Sequence, residues 1–89
     1  MIGAKKLKER IKPCQSEIIE DLKQVVSIDS PTFPGEGTTK VASYFEERYR
    51  NIGGDVDRIP GTHGVGDHLT IRFRGKYPDK PKLFLIGHC

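Results

Sequence analysis

Eighty-nine residues, with 15 Lys and Arg against 12 Asp and Glu, a formal net charge of +3 and 35% hydrophobic residues, describe one small domain near the lower size at which a single core outweighs chain entropy. They exclude a second domain within these residues, a strongly basic nucleic-acid binder and, because no apolar stretch approaches the required length, a membrane-spanning helix. Two cysteines, Cys14 and Cys89, without CxxC spacing exclude a disulfide-stapled scaffold and make a reducing cytoplasm the expected compartment.

Residues 1–14 form a basic leader. Lys5, Lys6, Lys8, Arg10 and Lys12 face a single acid, Glu9, and the short apolar start Met1-Ile2-Gly3-Ala4 is cut off by lysines before it can make a signal-peptide core. The leader reads as a solvated helix. An electrostatic contact with phosphate or anionic lipid is the functional alternative, but no aromatic side chain lies among the first twelve residues to stack a base. No nucleic-acid or membrane partner is expected.

From Ser16 to Ile28, apolar residues at 18, 19, 22, 25 and 26 recur at three- and four-residue intervals, predicting an amphipathic helix. Ser16 is a candidate N-cap, and Glu17, Glu20 and Asp21 suit the positive end of the helix dipole. Pro13 either separates this helix from the leader or begins it. Asp29 to Gly35, with two prolines, is a loop. A second helix is predicted from about Glu36, with Val41, Phe45, Tyr49 and Ile52 on one stripe, and Gly53-Gly54 as its left-handed stop.

Residues 55–60 alternate imperfectly, whereas His68 to Arg74 alternates cleanly and predicts a strand with one wet face. The seven residues Gly61 to Asp67 are short enough to join the two as an antiparallel pair. After a turn over 75–81, Leu83-Phe84-Leu85-Ile86 is an unbroken apolar run, predicting a buried terminal strand over 82–88. His88 then stands at the carboxyl end of that strand, where open α/β sheets form their ligand crevices.

Several candidate sites fail on their details. Gly61, Gly64 and Gly66 are spaced the wrong way round for a dinucleotide fingerprint, and Gly66 is followed by Asp67 and His68 instead of the Lys and Ser or Thr of a P-loop. His63 and His68, with Asp67 between, match no common metal-ligand spacing and read as exposed loop residues. Ser16, Ser27, Ser30 and Ser43 lie in no nucleophile-elbow context. Cys89 points away from His88 if the strand forms, because adjacent strand residues face opposite sides.

The terminal residues Leu83 to Cys89 resemble the first metal-binding motif of the M20 metallopeptidase family, a hydrophobic strand ending in Gly-His, a variable residue and Asp. The preceding chain is similar to the glutamate carboxypeptidase-like branch at Val26 to Thr32, Gly35 to Gly37, Asn51 to Gly54 and Gly66 to Leu69, so that the likeness spans residues 15–89. It implies an α/β fold: two N-terminal helices, an antiparallel strand pair and a buried terminal strand, together the N-terminal part of a mixed-sheet zinc-exopeptidase catalytic domain. It implies His88 as a ligand to one of two zinc ions, with no catalytic residue in this chain, and a substrate in which an amide bond lies next to a carboxylate-bearing residue, a peptide or an N-acyl amino acid. The bridging Asp, the general-base Glu, the remaining ligands and a dimerisation domain that would make the full-length enzyme a homodimer would all lie beyond Cys89. The family's sheet also inserts a later strand between 68–74 and 82–88, which implies a terminal strand lacking a neighbour here. The competing class is a small non-catalytic α/β interaction module whose leader meets acidic partners, and a third possibility is a metal site built from His63, His68 and His88.

Overall fold

The computed structural model describes residues 3–88. Helix α1 covers Ala4–Ile11, a 3-10 turn follows over Lys12–Cys14, and α2 runs from Gln15–Val26. Pro13 therefore neither separates two helices nor caps one: it lies in the tightened turn that carries the first into the second. This suits a residue without an N–H, because Pro is tolerated within a first helical turn. Helix α3 covers Glu36–Asn51, and strands β1 (Asp55–Ile59) and β2 (His68–Arg72) pair antiparallel, with Val56 opposite Ile71 and Arg58 opposite Leu69.

The end of α3 shows why the helix stops where it does. Gly53 has φ +90, its N–H donates to the Arg50 carbonyl at 3.1 Å, and the Gly54 N–H reaches back to the Tyr49 carbonyl at 2.9 Å. This pair of bonds is a Schellman motif, closing carbonyls that the helix leaves open. A Cβ at Gly53 meets no neighbour, so the expected cost of Gly53→Ala, about 1 kcal/mol from the left-handed backbone alone, would appear as a lower urea midpoint with unchanged slope.

The core lies where α3 crosses the hairpin. Val41 and Ala42 are 1% exposed and Val56 is 8% exposed, while Tyr49 stacks edge-on to Phe73 with ring centroids 6.3 Å apart. Strand alternation puts Val56 and Arg58 on the inner face with their partners Ile71 and Leu69, so Ile59, one step out of phase, falls on the outer face and is half exposed. Helix α2 is only tied to α3. The Tyr44 hydroxyl donates to Asp21 Oδ1 at 2.5 Å and Arg48 Nη2 to Asp21 Oδ2 at 2.8 Å.

The predicted helices and strand pair are present, with β2 two residues shorter than its alternation suggests. The buried terminal strand is not. Residues 81–88 lie outside any helix or strand, and Leu83, Phe84, Leu85 and Ile86 are 77 to 85% exposed. An apolar run becomes a buried strand only with partners for its backbone on the edges and cover on its faces. Among the described residues β2 pairs with β1 alone, and no helix lies over the run.

Candidate functional site

The loop from Gly61 to Asp67 is built by local backbone chemistry. His63 (φ 55) and Gly64 (φ +82) occupy the two central positions of a turn closed by the Val65 N–H on the Thr62 carbonyl at 3.1 Å, the arrangement that suits twisted antiparallel strands. The turn is held down by Gly35, whose N–H donates to the Gly64 carbonyl at 2.8 Å, and by buried Gly66, where a Cβ would sit 2.5 Å from Thr38 Cβ. Its tip carries His63 outward into solvent.

Asp67 turns inward instead. Its Oδ1 accepts from the Gly61 N–H at 3.0 Å, its Oδ2 accepts from Arg58 Nε at 2.9 Å, and its own N–H donates to Thr39 Oγ1 at 3.2 Å. Arg58 completes a hub from β1: Nη1 donates to Ser43 Oγ at 3.0 Å and Glu46 Oε1 at 3.3 Å, and Nη2 donates to the Thr39 carbonyl at 3.1 Å. The side chains of Arg58, Glu46 and Asp67 are each about three-quarters shielded. Three elements meet here: the strand, the loop and α3 from Thr39 to Glu46.

The charges of the hub are set by these contacts. The Gly61 N–H, followed by the Arg58 guanidinium, holds the Asp67 carboxyl below its ordinary range. Burial works against the Arg58 charge, but the hydrogen bonds it donates to Asp67 and Glu46 outweigh it and push its pKa up. Asp21 is likewise lowered, first by the Tyr44 hydroxyl and then by Arg48, while Tyr44 is raised by the same contact.

A carboxyl whose folded pKa is depressed binds protons less readily folded than unfolded, so it stabilises the fold above its unfolded pKa and loses that contribution as pH falls. Urea melts are therefore expected to show stability constant across neutral pH and declining below about pH 4. Asp67→Asn should flatten part of that decline. An unchanged acid limb in Asp67→Asn would mean that the Gly61 and Arg58 contacts do not set its titration.

The sequence-predicted site residues are thus dispersed. His63 is at the loop tip, His68 opens β2 opposite Ile59 on the outer face, and Asp67 is spent on Arg58 and Gly61. His88 is exposed and lies outside any strand, and Cys89 falls outside the described residues. Among the described residues no three of His, Cys, Asp and Glu come together in a way that could hold a metal ion, and His63, His68 and His88 are not brought into one group. None of their helices is long and apolar enough to cross a membrane.

The hub itself was missed by sequence reasoning. Its signal was Arg58 at the inward position two residues after Val56, where strand alternation asks for an apolar side chain. A recess of about 190 Å³ lined by Asp21, Tyr44, Phe45, Arg48, Tyr49 and Ile52 lies beside the other polar cluster, but its one carboxylate is already doubly bonded. The assembled polar groups join elements together; they present no free nucleophile with a base beside it. No family model, curated protein or solved structure matches the chain.

Proposed function

We propose that this chain is the N-terminal part of the catalytic domain of a cytoplasmic, M20-type zinc metallopeptidase, a homodimer at full length. The enzyme would hydrolyse an amide bond next to a carboxylate-bearing residue in a peptide or N-acyl amino acid, with His88 among its metal ligands. The observation that carries the reading is the order of the motifs: the helix-closing turn at 26–32, the Gly-Glu-Gly start at 35–37, the Asn-Ile-Gly-Gly close at 51–54 and the strand entry at 66–69 each sit at the boundary of an element in the expected sequence, ahead of Leu83 to His88. Exposure of the whole apolar run is what a sheet strand would show without its neighbours.

A catalytic zinc site takes three protein ligands and an open position. Among the described residues none makes one with His88, which is exposed, and no hydrolytic step is assigned to this chain. Purified and supplied with zinc, the 89-residue chain is expected to release no product from N-acyl glutamate or dipeptide substrates. Zinc-dependent turnover by the chain would refute its being an incomplete catalytic domain. The decisive reading is the codon after Cys89 in the transcript: Asp there supports the metallopeptidase, and any other residue breaks the Gly-His-x-Asp pattern on which it stands.

A further inference from the structure

We propose that the chain self-associates through α1 and α2, which pack antiparallel on the same two helices of a second copy about a two-fold axis beside Cys14. The two helices follow end to end. Ile11 (φ −77, ψ −35), Lys12 (φ −50, ψ −45) and Gln15 (φ −55, ψ −42) keep helical dihedrals, and Cys14 (φ −90, ψ 2) departs from them within the 3-10 turn, so Ala4–Val26 extends at most about 34 Å at the α-helical rise. Along it Leu7, Ile11, Cys14, Ile18, Leu22 and Val25 recur at three- and four-residue intervals, an apolar stripe of helical period. Leu7, Ile11, Ile18 and Leu22 are 46 to 60% exposed. Every residue of α1 is exposed, although an eight-residue helix is barely stable in water without packing.

Charge selects the occupant and its direction. Over residues 4–12 there are five cations against Glu9, and over 15–26 there are Glu17 and Glu20 against Lys23, Asp21 being held by Tyr44 and Arg48. A parallel pair of copies sets like charge against like, whereas an antiparallel pair lays the basic half of each rod on the acidic half of the other. The register that puts Leu7 opposite Leu22 of the second copy also puts Ile11 opposite Ile18 and Lys12 opposite Glu17, and leaves Cys14 beside the axis. A contact of this length and about 10 Å width lies at the small end of specific interfaces, where micromolar affinity is expected. The inference uses only residues 4–26 and stands whether or not the chain belongs to a metallopeptidase.

The test is the molar mass of the 89-residue chain carrying Phe84→Lys and Ile86→Lys, which takes the terminal run out of association, reduced, by light scattering and sedimentation from about 1 to 100 μM, a range that brackets a micromolar dissociation constant. Dimers at the upper end that dissociate on dilution are expected. Ile18→Glu, at an exposed helical position, should weaken association at least about tenfold. Lys12→Glu should weaken it about three- to tenfold, since each rim pair occurs twice, and adding Glu17→Lys to Lys12→Glu should restore it, which damage to the fold would not do. In a Cys89→Ser background, a short bismaleimide should join Cys14 to Cys14. A monomer throughout the range overturns the proposal, as does association that survives Ile18→Glu but is lost in Leu85→Lys, which would assign it to the terminal run. Binding to anionic vesicles that needs Lys12, in a chain that stays monomeric, would give α1 to a lipid surface instead.

Discussion

Arg58→Ala is expected to cost about 2 kcal/mol of folding free energy, the scale of losing charged hydrogen bonds at a partly shielded site after allowance for solvent screening. Four acceptors are affected at once: the Asp67 and Glu46 carboxylates, Ser43 Oγ and the Thr39 carbonyl. Removing the guanidinium takes from Asp67 its only ion-pair partner among the described residues, while Glu46 keeps Arg50, whose Nε lies 3.5 Å from its Oε2. Against a buried core of Val41, Ala42 and Val56, and a total stability of about 5 kcal/mol at the low end of folded domains, such a loss should raise the unfolded fraction at 25 °C about thirtyfold. Arg58→Lys tests the geometry: one ammonium cannot fill the guanidinium's several directions, so it should recover only part of the stability. Arg58→Met with an unchanged urea midpoint would show that the position needs bulk and not the hub. Because Arg58 joins β1 to α3 and, through Asp67, to the loop, hydrogen exchange in Arg58→Ala should rise together in all three.

That hub marks the limit of what could be read from the chain. The helices were legible because their signals are local: the spacing of Ile18, Ile19, Leu22 and Val25, the stripe through Val41, Phe45 and Tyr49, and the Gly53-Gly54 stop all act within a few residues. The hairpin was legible for the same reason, with β2 alternating and seven residues between the strands. Arg58 was not, because its inward place follows from the register with β2, and a charged residue at that place makes sense only once Asp67 and Glu46, nine and twelve positions away, are known to converge on it. Asp67, weighed as a companion to His63 and His68, is taken up by that convergence. The leader's helix was expected, and Pro13 was read as separating it from α2 or beginning α2, whereas Pro13 lies in a 3-10 turn between them. His88 was singled out by its place at the end of the apolar run and then by likeness of motif, and its surroundings are long-range by nature: a strand end becomes a site only when other strands and loops gather round it, and none of the described residues do so.

Replacing Phe84 and Ile86 by Lys is expected to raise the soluble yield of the chain several-fold and to leave β1 and β2 unchanged. Burying a large apolar side chain is worth about 1.5 to 3 kcal/mol, so the four residues from Leu83 to Ile86, 77 to 85% exposed, forgo about 8 kcal/mol on that scale, as much as a small domain's whole stability. The chain can recover that energy only by covering the run. A short segment of strong β-propensity, without proline or charge between Lys82 and His88, is the composition that stacks edge to edge between molecules, so copies of the chain should supply the cover in the absence of anything better. Charges at 84 and 86 oppose that stacking directly. They should not touch the hairpin, because β2 bonds to β1 and ends at Arg72, and amide exchange over 55–59 and 68–72 should match the parent chain. Loss of protection there would mean that the run packs on the hairpin in solution. If the run is a sheet strand awaiting neighbours, extending the chain with the residues that follow Cys89 should protect the amides of 83–87 and remove the solubility advantage of the two lysines, because the same charges would then have to be buried.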